Sequence, residues 1–189
     1  MPEARTGLTL RISNMRRCRE KAMKKLYIIR HAKSDWGDLS LNDYDRPLNK
    51  RGKKDAPMMG KILAEQGIRP DLILSSPACR ALTTAQTIAE EVGYDDKNIV
   101  YQESLYLASP EEIENILRSL PSSAQTVFII GHNPGLSEFA EYVCAEAIGN
   151  IPTCGIVELI LNEETWQSIG KRSVTLASFD YPKKHKKVP

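Results

Sequence analysis

Residues 26–36 read LYIIRHAKSDW. Four apolar residues, Leu26 to Ile29, give way at once to the charged and polar Arg30 and His31. A run this short, with no polar alternation, fits a strand covered on both faces. The same form recurs in LILSSPACR over 72–80 and VFIIGHN over 127–133. Further short β-rich runs cover Ile99 to Tyr101, Ile156 to Leu161 and Val174 to Phe179.

Helical stretches lie between the early runs. Asn49 to Gln66 has helix-spaced Met58, Met59, Ile62 and Leu63, and Pro57 marks an expected break in it. Ser76 and Pro77 read as N-cap and first residue of a helix to about Val92, with Gly93 as its stop. Ser109 and Glu112 form a capping-box pattern for a helix ending at Leu120, and Pro134 opens one ending before Gly149. Strands alternating with helices in this way predict an α/β fold: a mostly parallel central sheet flanked by helices on both faces.

In such sheets ligands gather beyond the carboxyl ends of the strands. Arg30 and His31, Ser75 to Arg80, and Gly131 to Asn133 all sit there. The chain has three histidines, and the two outside the C-terminal stretch both follow an apolar run by one or two residues.

The chain has 189 residues, 41% hydrophobic and 26% charged, with net charge +2, the balance of one soluble globular domain. No apolar run reaches the roughly 18 residues of a membrane helix. Residues 1–25 carry eight Lys/Arg and two acids, and residues 183–189 carry four lysines. Of the chain's 26 basic and 24 acidic residues, 26–182 therefore hold 14 and 22, a charge of −8 that argues against a nucleic-acid-binding face. Residues 1–24 read as a disordered extension or a misassigned start, because Met23 begins MKKLYIIRHA. Residues 25–182 read as a single domain and 183–189 as a solvated basic tail that includes His185. With no apolar signal segment, the expected location is cytoplasmic.

Cys18, Cys79, Cys144 and Cys154 form no CxxC pair and no zinc-type spacing, so reduced thiols and no metal are expected. A thiolate nucleophile is discounted, since Cys79 is followed directly by Arg80 instead of by a phosphate-cradling loop. A Walker loop, a GxGxxG turn and a magnesium-binding carboxylate cluster are all missing, and no cofactor is expected. Two imidazoles and two guanidiniums around one crevice would repel unless an anion sat among them. Guanidinium forks match phosphate oxygens, and histidine can itself attack phosphorus.

These residues resemble the histidine phosphatase superfamily, and within it the short SixA-type phosphohistidine phosphatases. LYIIRHAKSDW is similar to the family's opening RH motif, with Ala32 where larger relatives carry Gly. DYDRPLNKRG resembles the segment that follows, SSPACRALTTA the second-arginine helix and FIIGHNPGLSEF the second-histidine turn. The likeness spans about residues 24–161 in the right order. It implies a phosphoglycerate mutase-like fold, His31 as a transiently phosphorylated nucleophile, and Arg30, Arg80 and His132 as the rest of the phosphate pocket. His31 would need its other ring nitrogen fixed by a carbonyl or side chain.

Asn133 and Arg46 are further candidates to bind substrate, with Asp45 placed to pair with Arg46. Trp36 has two readings, lining the entrance or covering apolar surface. Larger relatives carry a general acid after the third strand; here YQESLYLASPEE offers Glu103, whose plainer reading is an exposed carboxylate. A leaving imidazole needs a proton less than an alkoxide does, which tilts the substrate toward phosphohistidine on a protein, such as a histidine-containing phosphotransfer domain. The alternatives are a small-molecule phosphomonoesterase and a phosphoprotein-binding module without turnover.

Overall fold

The computed structural model describes residues 23–186. The reading of residues 1–22 as an extension, and residues 187–189 of the tail, lie outside the described residues. In chain order the elements are β1 (Lys25–Arg30), α1 (Gly52–Glu65), β2 (Leu72–Ser75), α2 (Cys79–Val92), β3 (Val100–Tyr101), α3 (Pro110–Arg118), β4 (Thr126–Gly131), α4 (Gly135–Cys144), β5 (Ile156–Leu161) and β6 (Val174–Asp180). They build one sheet of order β3-β2-β4-β1-β5-β6.

The four strands from β3 to β1 are parallel, while β5 runs antiparallel to β1 and β6 antiparallel to β5. The near-continuous apolar runs have a direct cause. Leu26 and Ile28 of β1, with Val127 and Ile129 of β4, enter a core shared with α3 and α4. Tyr27, Ile29, Phe128 and Ile130 enter a second core shared with α1 and α2. Because successive side chains point to opposite faces, a strand with helices over both has no polar positions to spare.

Two expectations need correcting. Pro57 does not break α1, which runs through it with Ala56 and Met59 fully buried against the sheet, so packing outweighs the missing hydrogen bond. Ser76 and Pro77 stand before α2, whose N-cap is Ala78. The Ser76 hydroxyl accepts from the Ala78 amide at 3.3 Å and also lies 2.8 Å from His132 Nε2. α4 ends before Gly149 as read, at Cys144, with Ala145 left-handed at φ 57° and the Glu141 carboxylate accepting from the Ile148 and Gly149 amides as the chain folds back. His185 is exposed and also paired: its Nε2 lies 2.7 Å from Asp180 Oδ2, and the exposed Lys186 reaches the buried Asp55 Oδ1 with Nζ at 2.8 Å.

Other local signals are realised as read. Gly93 ends α2 at φ 71°, where a side chain would be strained. Ser109 and Glu112 form both bonds of the capping box, although α3 ends at Arg118. A Cβ at Gly135 would fall 1.8 Å from the Ala108 carbonyl oxygen, so only glycine lets α4 start this close to the segment before α3. That start holds the turn after β4 in place.

Candidate active site

β2, β4 and β1 are consecutive across the sheet, and their carboxyl ends deliver Ser76, His132 and His31 side by side. His31 continues β1, its amide donating to the Gly131 carbonyl at 3.1 Å. Its own carbonyl and that of Arg30 both accept from the Cys154 amide, at 3.1 and 3.0 Å. The Thr84 hydroxyl accepts from the Ala32 amide at 3.0 Å and donates to the Arg80 carbonyl at 2.7 Å. The turn carrying His31 is thereby tied to the helix carrying Arg80.

The partners settle both tautomers. His31 Nδ1 lies 2.7 Å from the Ala32 carbonyl, which can only accept, so Nδ1 carries the proton and Nε2 the lone pair. Arg80 Nε donates to that Nε2 at 3.3 Å. Arg80 Nη2 lies 3.2 Å from His132 Nδ1, and since arginine can only donate, His132 must protonate on Nε2, which faces the Ser76 hydroxyl at 2.8 Å. One guanidinium thus lies between two neutral imidazoles, both lone pairs turned toward it. The rings are 5.1 Å apart, and His31, Arg80 and His132 are buried.

Two further N–H groups of Arg80 go to Asp43: one on Nη1 to its carbonyl and one on Nη2 to its carboxylate Oδ2 at 2.8 Å. Tyr106 also donates to Oδ2, at 2.9 Å. Arg30 is half-buried, with Nη1 donating to the Ile151 carbonyl at 2.7 Å and a buried Nε that has no partner among the described residues. Burial lowers the His31 pKa to about 4, opposed by the Ala32 carbonyl and reinforced by Arg80 and Arg30. His132 falls to about 3, through burial first and then the charges of His31 and Arg80.

The sequence model of the histidine phosphatase superfamily (branch 1) matches residues 26–106, which include His31 and Arg80. An uncharacterised chloroplastic protein of Arabidopsis thaliana is 34% identical over 152 residues, spanning 76% of this chain and 69% of its own length. The chain belongs to the histidine phosphatase superfamily. An uncharacterised protein of Mycobacterium tuberculosis strain H37Rv is 31% identical over 165 residues, 82% of this chain and all of its own. Among solved structures, an Agrobacterium tumefaciens protein designated as a phosphohistidine phosphatase, SixA, superposes with TM-score 0.72 and 30% identity, covering 84% of this chain and 98% of that one. The fold of this histidine phosphatase is accordingly the phosphoglycerate mutase-like one that the motifs imply.

The other sequence-derived candidates fall at the rim of this histidine phosphatase's site. The Arg46 guanidinium stacks 3.7 Å over Trp36, and its Nε and Nη1 are buried without a hydrogen-bond partner among the described residues. Its expected pairing with Asp45 goes instead to Asp43, whose Oδ1 lies 3.9 Å from Nη1, because Asn42 Nδ2 occupies Asp45 at 2.6 Å. Asn133 Nδ2 donates to Asn150 Oδ1 and the Ile151 carbonyl, supporting the loop that also receives Arg30. Glu103 is exposed, and among the described residues its carboxylate accepts a hydrogen bond from the Tyr44 hydroxyl alone, at 3.4 Å. Asp43 and Tyr106 escaped the sequence reading. Asp43 stands in the DYDRP segment, but nothing in one chain's pattern says which of its two aspartates turns inward. Among the described residues no cluster of His, Cys, Asp or Glu could hold a metal ion, and no helix is long and apolar enough to cross a membrane.

The two lowered histidine pKa values set a sign for stability. Below about pH 6.5 the unfolded chain binds protons that native His31 and His132 refuse until about pH 4 and 3. Stability is therefore complete above pH 6.5 and is lost as pH falls toward 4. Urea unfolding should show its midpoint dropping between pH 7 and 5, and His132→Gln should flatten the drop. An unchanged midpoint over that interval would contradict neutral, buried imidazoles.

Proposed function

We propose that this chain is a phosphatase that takes a phosphoryl group onto His31 Nε2 and releases it to water, acting on phosphohistidine carried by a protein. The observation that carries the reading is the position of Arg80 between two neutral imidazoles whose lone pairs face it. A nucleophilic histidine needs an unprotonated nitrogen at neutral pH and a fixed ring; burial supports the first, and the bond to the Ala32 carbonyl fixes the ring with its lone pair on Nε2.

In this mechanism the His31 Nε2 lone pair forms a bond to phosphorus while the bond to the leaving atom breaks. Arg80 and Arg30 offset the charge on the equatorial oxygens. The entering dianion offsets the same charge that keeps His132 neutral, so His132 Nδ1 takes up a proton from solvent as the dianion enters and hydrogen-bonds a phosphoryl oxygen with it. Water then attacks phosphorus, the P–N bond breaks, and its electron pair returns to Nε2 with release of orthophosphate. Residues 25–182 act as the catalytic unit, with Arg46 and Asn133 bordering the phosphoryl site.

Two facts favour phosphohistidine over a sugar phosphate. The one carboxylate expected to protonate an alkoxide, Glu103, is exposed and, among the described residues, accepts a hydrogen bond from Tyr44 alone. The Agrobacterium tumefaciens relative carries the phosphohistidine phosphatase designation. The test is to mix the protein with a radiolabelled phosphohistidine phosphotransfer domain, quench in alkali, which preserves phosphohistidine, and map the label. It should lie on His31. Label on another residue, or turnover confined to sugar phosphates, would overturn the proposal.

A further inference from the structure

We propose that Asp43 is the specificity-determining carboxylate of this site, favouring phosphoryl groups bonded to a planar ring nitrogen over those bonded to oxygen. The inference rests on the reading of His31 as nucleophile and adds a residue that the motifs leave without a role. Asp43 Oδ2 is held from two sides, by Arg80 Nη2 at 2.8 Å and by the Tyr106 hydroxyl at 2.9 Å. Oδ1 accepts no hydrogen bond from any described residue, lies 3.9 Å from Arg46 Nη1, and belongs to a side chain that is 46% exposed. A fixed carboxylate with one open acceptor thus stands where Arg80 meets solvent. Burial pushes its pKa up, but the bonds from Tyr106 and Arg80 outweigh that and keep it ionised.

The surroundings of that acceptor are aromatic. From the buried nucleophile outward the rings stand in file: His31 to His132 at 5.1 Å, His132 to Tyr106 at 5.4 Å, and Tyr106 to Tyr44 at 5.1 Å. Such a file accepts a flat ring by edge and face contacts, and more readily a cationic one. A flat ring that donates an N–H to Oδ1 satisfies both features at once. An imidazole phosphorylated on one nitrogen and protonated on the other is such a group.

The chemistry then balances without a general acid. As His31 Nε2 forms its bond to phosphorus, the bond from phosphorus to the substrate's ring nitrogen breaks and its electron pair stays on that nitrogen. The other ring nitrogen already carries its proton, held by Asp43, so the ring departs as neutral imidazole. A phosphate ester in the same place releases an alkoxide or phenolate beside the Asp43 carboxylate, where like charge opposes it. Hydrolysis of phosphorylated His31 is common to both substrates, so the discrimination falls in the first step.

The experiment compares kcat/KM for a phosphohistidine peptide and a phosphotyrosine peptide in the wild type, Asp43→Asn and Asp43→Glu. Asparagine keeps the shape and an acceptor for Arg80 but removes the charge. The ratio of phosphohistidine to phosphotyrosine turnover should fall roughly tenfold or more in Asp43→Asn, the size of one charge-assisted hydrogen bond, and recover in Asp43→Glu. Equal losses on both peptides would reduce Asp43 to a support for Arg80 and overturn the inference, as would an unchanged ratio. A wild type that labels no histidine at position 31 would instead defeat the underlying mechanism, so the two failures are distinct.

Discussion

His31→Ala should lose turnover by roughly four orders of magnitude or more, as removal of a nucleophile does elsewhere, while still binding orthophosphate. The physical basis is the separation of tasks within the cluster. In the proposed mechanism the lone pair on His31 Nε2 is the part of the side chain used in bond formation, and Arg80 reaches it with Nε alone. Further guanidinium N–H groups point to His132 and Asp43, and these survive the substitution. Alanine also deletes the bond to the Ala32 carbonyl, which leaves a small cavity at the end of β1 without disturbing the strand's ladder to β4. Isothermal titration with orthophosphate and a turnover assay on the same preparation check both halves. Residual hydrolysis within tenfold of wild type would remove His31 from the reaction, whatever the binding.

The second large effect is expected at Arg80. Its guanidinium serves His31, His132 and both the carbonyl and carboxylate of Asp43, and only 4% of the residue is exposed. Arg80→Ala leaves two imidazole lone pairs and a carboxylate facing one another with no donor between them. Loss of one partner from such a buried, charged network costs about 3–5 kcal/mol, or 10²- to 10⁴-fold, expected here in kcat/KM. Unlike His31→Ala, this variant should also weaken orthophosphate binding. Arg80→Lys restores the charge as a single point without the planar fork, so it should recover binding better than rate. An Arg80→Ala enzyme with unaltered phosphate inhibition would place the phosphoryl group elsewhere.

Much of this was legible in the chain before any coordinates. The strand ends were readable to within one residue, at Ile29, Leu74 and Ile130 against Arg30, Ser75 and Gly131 in the structure, because burial on both faces suppresses polar residues and these resume where the faces end. Local helix signals were readable where one residue type answers one backbone need, as with Gly93 and the Ser109–Glu112 pair. Ser76 shows the limit of such signals. Its type suits a helix N-cap, yet it stands before the helix, and its hydroxyl meets both the Ala78 amide and a histidine 56 residues away. Pro57 shows the reverse case, a local breaker overridden by the contacts its helix makes with the sheet.

What the order of amino acids determined by itself is the set of strands, the class of the fold, and the four side chains placed just beyond strand ends or at a helix start. These depend on short-range periodicity and on residue chemistry, which the chain displays directly. The tertiary structure alone decided that Arg80 stands between the imidazoles, that Asp43 and not Asp45 turns to it, and that Glu103 stays in solvent. Each of these depends on contacts between segments distant along the chain, set by how three strands align side by side. No local pattern encodes that alignment.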